Sequence, residues 1–245
     1  VEITLLGQNV NGYFYQNGKD VWDLAKLIRE LSKISDLKRI RFTTSHPIDM
    51  TDSLIELFGI EEKLMPYLHL PVQSGSDRVL RMMNRRHTIA KYLDIVSKVR
   101  EIRPDIALSG DFIVGFPGET EEEFQETLDL CSRVKYAQAY SFKYSSRPGT
   151  PASKLKEIDE KIKAERLSRL QNLLAKHQKI FQNNMIGKKY SVLIEKPGKE
   201  VGQIVGRSPY LQPVFVNGST NLLGKIVNVE IISCRTNSLE GTITY

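Results

Sequence analysis

Residues 108–124 read "LSGDFIVGFPGETEEEF", an apolar run that passes through a Gly-Phe-Pro-Gly turn into an acidic segment. Ile113 and Val114 close the run as the last residues of a buried strand would. Gly115 and Gly118 let the backbone turn sharply and approach a ligand closely. Thr120 and Glu123 have the spacing of a capping box, in which each side chain accepts a hydrogen bond from the other residue's backbone N–H. The stretch reads as strand, turn and helix start, with room above the strand end for a small polar ligand. Glycine is also the ordinary turn residue, so plain architecture remains the alternative.

Working outward, strand-like runs lie at Val1–Leu6, Arg39–Thr44, Tyr67–Val72, Ile106–Val114 and Ala137–Tyr144. Helical patterns fall between them at Trp22–Ile34, Thr51–Leu57, Ser76–Met83, Ile89–Ile102 and Glu121–Val134. Such alternation predicts a parallel sheet, and without a Gly-x-Gly-x-x-Gly after the first strand it reads as part of a (β/α) barrel. A long amphipathic helix is predicted over Leu155–Phe181, with Ile158, Ile162, Leu167, Leu170, Leu174, His177 and Phe181 on one face. Beyond it, short alternating runs with glycine turns, such as "KYSVLIEKPGK" and "GKIVNVEIIS", predict a small β-barrel. The fold class is therefore α/β, a partial barrel over residues 1–184 followed by an all-β barrel over 185–245, with the boundary near Met185.

Composition narrows the class. The chain has 245 residues, 40% hydrophobic and 26% charged, and no apolar run of the roughly 20 residues that span a bilayer. A net charge of +6 favours polyanionic partners. Seven Lys or Arg face four Glu beyond residue 184, so +3 of that charge lies in the small barrel. Cys131 and Cys234 form no Cys-x-x-Cys pair and read as inert thiols in a reducing cytoplasm. The opening "VEITLL" is already strand-like, without an initiator Met or signal pattern, which suggests sequence upstream.

In a (β/α) barrel the site lies just after the strands. These positions are Gly7, Gln8 and Asn9; Thr44, Ser45, His46 and Pro47; Gln73, Ser74, Gly75 and Ser76; Gly115–Glu119; and Ser145, Arg147, Pro148 and Gly149. They supply amides, hydroxyls and glycines, without a nucleophile triad or a metal-ligand cluster, so the mouth reads as built to bind, and no residue stands out as catalytic. His46 could act as a general base, but Pro47 favours a turn role; His69, inside "YLHLPV", reads as a satisfied strand residue.

The stretches "LLGQNVNGY", "RFTTSHP", "LHLPVQSGSDRVLRMMNRRHT", "GDFIVGFPGETEEEF" and "FKYSSRPGTPA" resemble, in order, motifs of the radical S-adenosylmethionine methylthiotransferases. The wording is most similar to the branch that methylthiolates C2 of N(6)-dimethylallyladenosine beside the tRNA anticodon. "VGRSPYLQPVFV" resembles that family's RNA-binding TRAM domain. Ser146 stands where the family commonly has proline, implying a looser loop.

The resemblance implies S-adenosylmethionine and two 4Fe-4S clusters as cofactors, a tRNA anticodon stem-loop as partner, and sulfur and electron donors. It assigns Gln8 and Asn9 to the methionine amino group, Ser45 and Gln73, with Ser74 beside them, to the ribose and methionine, and Arg85 to the carboxylate. Ile113 and Gly115 would hold the adenine edge, and Glu119 would orient the cofactor. Asp111 would orient substrate or serve as a turn-pairing carboxylate. Arg147 and Gly149 would flank an extruded nucleotide. Lys188, Lys189 and Arg207 would meet phosphates, with Tyr210 or Phe215 available for stacking; a merely solvated barrel surface is the alternative.

The family's cluster-binding cysteines are absent from this sequence, and two isolated cysteines cannot ligate a cluster. The chain is thus expected to be the C-terminal portion of such an enzyme, inactive alone, with a non-catalytic tRNA-binding remnant as the second reading. An ordinary (β/α)-barrel enzyme acting on phosphorylated metabolites would need an acid–base pair for which only weak candidates exist.

Overall fold

A computed structural model describes residues 1–43 and 45–244. Thr44, expected at the mouth, lies outside the described residues. The elements run β1 (Glu2–Leu5), β2 (Phe14–Asn17), β3 (Asp20–Asp23), α1 (Leu24–Ser32), β4 (Arg39–Phe42), α2 (Asp52–Ile60), β5 (Tyr67–His69), α3 (Asp77–Met82), α4 (Ile89–Ile102), β6 (Ala107–Val114), α5 (Glu121–Val134), β7 (Gln138–Lys143) and α6 (Glu160–Asn183). The remaining strands are β8 (Lys189–Pro197), β9 (Gln203–Arg207), β10 (Pro213–Asn217), β11 (Ile226–Cys234) and β12 (Leu239–Ile243).

All five expected parallel units form. β1 pairs with β4, and β5, β6 and β7 pair in order. A parallel bridge between Ile40 and Leu64 joins the two groups. Alternate residues of these parallel strands face unlike surroundings. Ile40, Phe42, Leu68, Leu108, Phe112 and Val114 enter one apolar core with the helices. The opposite, concave face carries Glu2 and Arg39 in register, then Thr4 and Arg41, His69 and Ser109, and Asp111 and Tyr140.

Strands β8–β12 close into a barrel in the order β10-β12-β11-β8-β9, as the glycine-punctuated alternation implies. This barrel sits at the foot of the sheet, against the amino-terminal ends of its strands. Tyr67, Ala107 and Ala137 share its apolar core with Met185, Val192 and Tyr210. Buried Arg39 donates to the carbonyls of Ser191 and Arg207, and buried Arg41 to those of Ser208 and Pro209. The Glu2 carboxylate lies 3.5 Å from Arg39 and 3.2 Å from Arg41.

Two expectations need correction. The long helix starts at Glu160, not Leu155: a 3-10 turn over Pro151–Lys154 precedes it, and the Asp159 side chain caps it by accepting from Lys161 N–H. Its inward residues are Lys163, Arg166, Leu170, Leu174 and His177, while Ile162 is exposed. Arginine and lysine occupy the face because acidic residues of the neighbouring turns neutralise them there. The hairpin β2–β3 was not among the expected elements; its two-residue loop is Gly18-Lys19, with Asn17 paired to Asp20 and Gly18, at φ +59°, in the first loop position, where glycine is favoured.

Candidate functional site

The opening stretch forms the strand, turn and capped helix expected of it. Thr120 and Glu123 make both hydrogen bonds of the capping box. Gly115 and Gly118 adopt φ +71° and +82°. A Cβ on Gly115 would collide with Lys163 Cγ, so this glycine makes way for the stem of a lysine on α6. Glu119 has its carboxylate enclosed: Oε2 accepts from Gly115 N–H at 2.7 Å and from Arg166 at 2.8 Å. Glu119 is 5% exposed and shapes the turn through Gly115.

The "QSGSD" motif at 73–77 is docked onto α5. Gly75 donates to Thr127 Oγ1 at 2.9 Å, while Ser76 Oγ and the Arg78 guanidinium bond to Glu123. Ser74 is wholly buried, and its Oγ accepts from Ser76 N–H within the turn. Gln73 is a non-glycine residue at φ +78°, gripped through its backbone by Asp111 O and Ile113 N–H. Such conformations cost free energy and persist where surrounding structure enforces them.

The remaining head positions fall around this docked unit. Gln8 and Asn9 are exposed, and Asn9 donates to Asp49 Oδ2 at 2.6 Å. Buried Asn11, not singled out from sequence, exchanges two hydrogen bonds with the His46 backbone and so ties the first mouth loop to the second. Ser45 is 6% exposed, with its Oγ buried and without a hydrogen-bond partner among the described residues. Arg85 is half-buried; burial lowers its affinity for its proton and nearby Asp111 opposes that effect. Its side chain makes no hydrogen bond or ion pair among the described residues. Asp111 lies 3.5 Å from His69 Nε2, whose Nδ1 is 3.0 Å from Ser109 Oγ. Asp111 thus pairs across strands on the concave face. Ile113 is partly exposed there, and Arg147 and Gly149 are exposed after β7.

His46 and His87 meet edge to face, with ring centroids 5.5 Å apart. His46 Nδ1 accepts from Ile48 N–H, consistent with a turn role. Burial pushes the His87 proton affinity down to about 4, helped by His46. The Arg78 guanidinium holds the Glu123 carboxyl at about 2. Both folded-state values lie below the unfolded ones, so their stabilisation is present at higher pH and disappears on acidification. We expect stability in urea to fall from pH 6.5 to about 4 as His87 protonates, and again from pH 4.5 to about 2 as Glu123 does. Each fall should be at most about 3 kcal/mol, at about 1.4 kcal/mol per pKa unit, and smaller where solvent screens the group. His87→Leu should reduce the first limb, to which His46 and His177 also contribute, and spare the second; an unchanged first limb would refute the assignment.

The sequence-selected basic residues stand at the other end of the molecule. Lys188 and Lys189 are exposed at the start of β8, and Arg207 pairs loosely with Glu195 at 3.5 Å. The eight residues of β6 separate foot from head by about 25 Å. Tyr210 is not available for stacking: it is 9% exposed, and its hydroxyl donates to Asp105 at 2.5 Å. Phe215 is half-exposed on β10.

The Radical SAM superfamily model matches residues 1–131. The chain belongs to the radical SAM superfamily. Residues 183–244 match the TRAM domain, in agreement with the closed barrel seen there. A tRNA-2-methylthio-N(6)-dimethylallyladenosine synthase from Jannaschia sp. (strain CCS1) is 56% identical over 243 residues, 99% of this chain and 53% of that protein. The chain thus spans about half the length of the curated relative it matches, and the resemblance read from its motifs is borne out. The structure of Elp3 from Methanocaldococcus infernus, with an N-terminal deletion, superposes with a TM-score of 0.50 over 93% of this chain and 68% of that one, at 10% identity, a likeness of fold alone.

The donor chemistry at the head is compatible with the methionine end of S-adenosylmethionine: among the described residues the buried Ser45 hydroxyl and the Arg85 guanidinium, which suits a carboxylate, have no hydrogen-bond partner. The chain's own side chains do not fit an iron–sulfur cluster. Cys131 is enclosed in the sheet–helix core, Cys234 lies on the small barrel, and no metal-holding group of His, Cys, Asp or Glu occurs among the described residues. No helix is long and apolar enough to cross a membrane.

Proposed function

We propose that this chain is the cofactor-orienting and RNA-holding portion of a tRNA methylthiotransferase acting on C2 of N(6)-dimethylallyladenosine beside the anticodon. The observation that carries the reading is the head of the sheet. There Ser45 has a buried hydroxyl and Arg85 a half-buried guanidinium, neither with a hydrogen-bond partner among the described residues, and Gln73 stands at positive φ after β5. S-adenosylmethionine, when bound with a reduced cluster, supplies radical chemistry. Arg85 orients its carboxylate, Ser45 and Gln73 approach the methionine and ribose, and Gln8 and Asn9 lie beside the amino group. Ile113 and the Gly115 turn flank the adenine, with Glu119 and Arg166 holding that turn. Asp111, Arg147 and Gly149 flank the extruded base, because an enzyme modifying a base in folded RNA must present it unstacked.

In this division residues 1–184 orient cofactor and base, and residues 185–245 steer phosphates through Lys188, Lys189 and Arg207. The cluster thiolates, sulfur and electrons come from other polypeptide or donors, in the cytoplasm where tRNA is modified. The chain alone should therefore bind RNA without methylthiolating it. Titration with anticodon stem-loops should give binding that weakens with salt and favours the dimethylallyl-bearing loop. Equal affinity for modified and unmodified loops would instead favour a tRNA-binding remnant, and salt-insensitive binding would overturn the RNA reading.

A further inference from the structure

A cavity of about 390 Å³ opens at the foot, between the loops below β6 and β7, the last turns of α6, and β8. Such a volume lies in the range of small-molecule sites. Three cations from separate elements line it: Arg100 at the end of α4, Lys135 after α5, and Lys188 before β8. Lys135 and Lys188 make no side-chain hydrogen bond or ion pair among the described residues. Arg100 donates to the Val134 carbonyl but has no carboxylate partner. The single acid on the wall, Asp105, is already neutralised by Arg103 at 2.8 Å and by the Tyr210 hydroxyl. His177 is 9% exposed, its Nδ1 is buried without a partner, and its ring lines the same cavity. Phe181 and Tyr190 supply aromatic walls, fixed edge to face against Tyr210.

We propose that this cavity is a nucleotide-binding site, taking the phosphate of one nucleotide of the RNA on Lys135, Lys188 and Arg100 and its base against Tyr190 and Phe181. The proposal rests on the RNA reading above and adds to it a composite contact built by both domains. The chemistry is that of single-stranded nucleic-acid recognition, a cationic wall interleaved with aromatic faces. A neutral His177 suits the polar edge of a base: burial, then Lys135 and Lys176, lower its proton affinity. The position of Lys135 also calls for explanation, since it closes α5 at φ +52°, where glycine would sit without strain.

That conformation gives a test in which structure and binding move oppositely. Lys135→Gly should leave the thermal midpoint unchanged or raise it, because glycine relieves the left-handed backbone, while lowering affinity for the stem-loop and reducing its salt slope by about 1. Lys135→Glu with Lys188→Glu should reduce the slope by about 2 and lower affinity for modified and unmodified loops equally. Unaltered affinity and slope in these variants, with wild-type protein still preferring the dimethylallyl loop, would overturn the cavity's role and the phosphate contact given to Lys188, and leave the rest of the proposed function standing. Loss of all RNA binding by the wild-type chain would overturn both. Adenosine 5'-monophosphate and inorganic phosphate are the free-ligand arms: shifts of the Ala137 amide and His177 ring with the monophosphate, abolished in Lys135→Glu and competed by the stem-loop, are expected. Shifts that the stem-loop does not compete would assign the cavity to a free nucleotide and overturn the RNA contact.

Discussion

Arg41→Ala is expected to lower stability by about 3 to 5 kcal/mol, the range for removing one partner of a buried ion pair. Arg41 is 4% exposed, and its guanidinium joins three groups that otherwise stay apart: the Glu2 carboxylate and the Ser208 and Pro209 carbonyls. Truncation leaves all three buried with less compensation and opens space where the Leu211 loop enters the concave face. The neighbouring cavity of about 240 Å³, lined by Thr4, Tyr67, His69 and Leu211, would enlarge. Arg39→Ala should act similarly through Ser191 and Arg207. Urea unfolding followed by two probes, Trp22 fluorescence for the sheet and amide exchange for the barrel, should become non-coincident in the variant. A loss below about 1 kcal/mol with coincident transitions would show that the barrel is held by its apolar contacts alone.

The alternation of Arg39 and Arg41 with Ile40 and Phe42 marks what was legible in the sequence and what was not. Periodicity revealed a strand with two unlike faces, but not that the charged face meets another domain's carbonyls 152 to 168 residues away. The alternating strands and helices, the capping box and the second barrel were legible because turn chemistry and hydrophobic period are local. Buried pairings such as Glu119 with Arg166 were not, since each partner alone reads as a solvated charge. Tyr210 was offered for stacking because an aromatic in a glycine-rich strand pattern suits RNA, whereas Asp105, from the other domain, holds its hydroxyl.

Gly75→Ala is expected to cost about 2 to 3 kcal/mol, toward the upper end for overpacking. Its Cβ would meet Glu126 O and Thr127 Cα at 2.5 Å, both backbone atoms within α5, so no side-chain rotation relieves the clash. The helix would have to retreat, stretching the 2.9 Å bond from Gly75 N–H to Thr127 Oγ1 and the Arg78–Glu123 pair beside it. Two other glycines separate this effect from backbone strain. Gly149, at φ +85° with no atom within 4 Å of where a Cβ would stand, should lose only about 1 kcal/mol on changing to alanine. Gly115→Ala combines φ +71° with contact to the flexible Lys163 stem, so Lys163→Ala should recover part of its loss. No companion truncation should rescue Gly75→Ala. Because the Gln73 backbone is anchored to the same unit, S-adenosylmethionine binding by the chain joined to its cluster-bearing partner polypeptide should weaken in Gly75→Ala and not in Gly149→Ala. Thermal midpoints and calorimetric affinities that order the three glycines differently would refute the view that the docking of residues 73–77 onto α5 builds the cofactor end of the site.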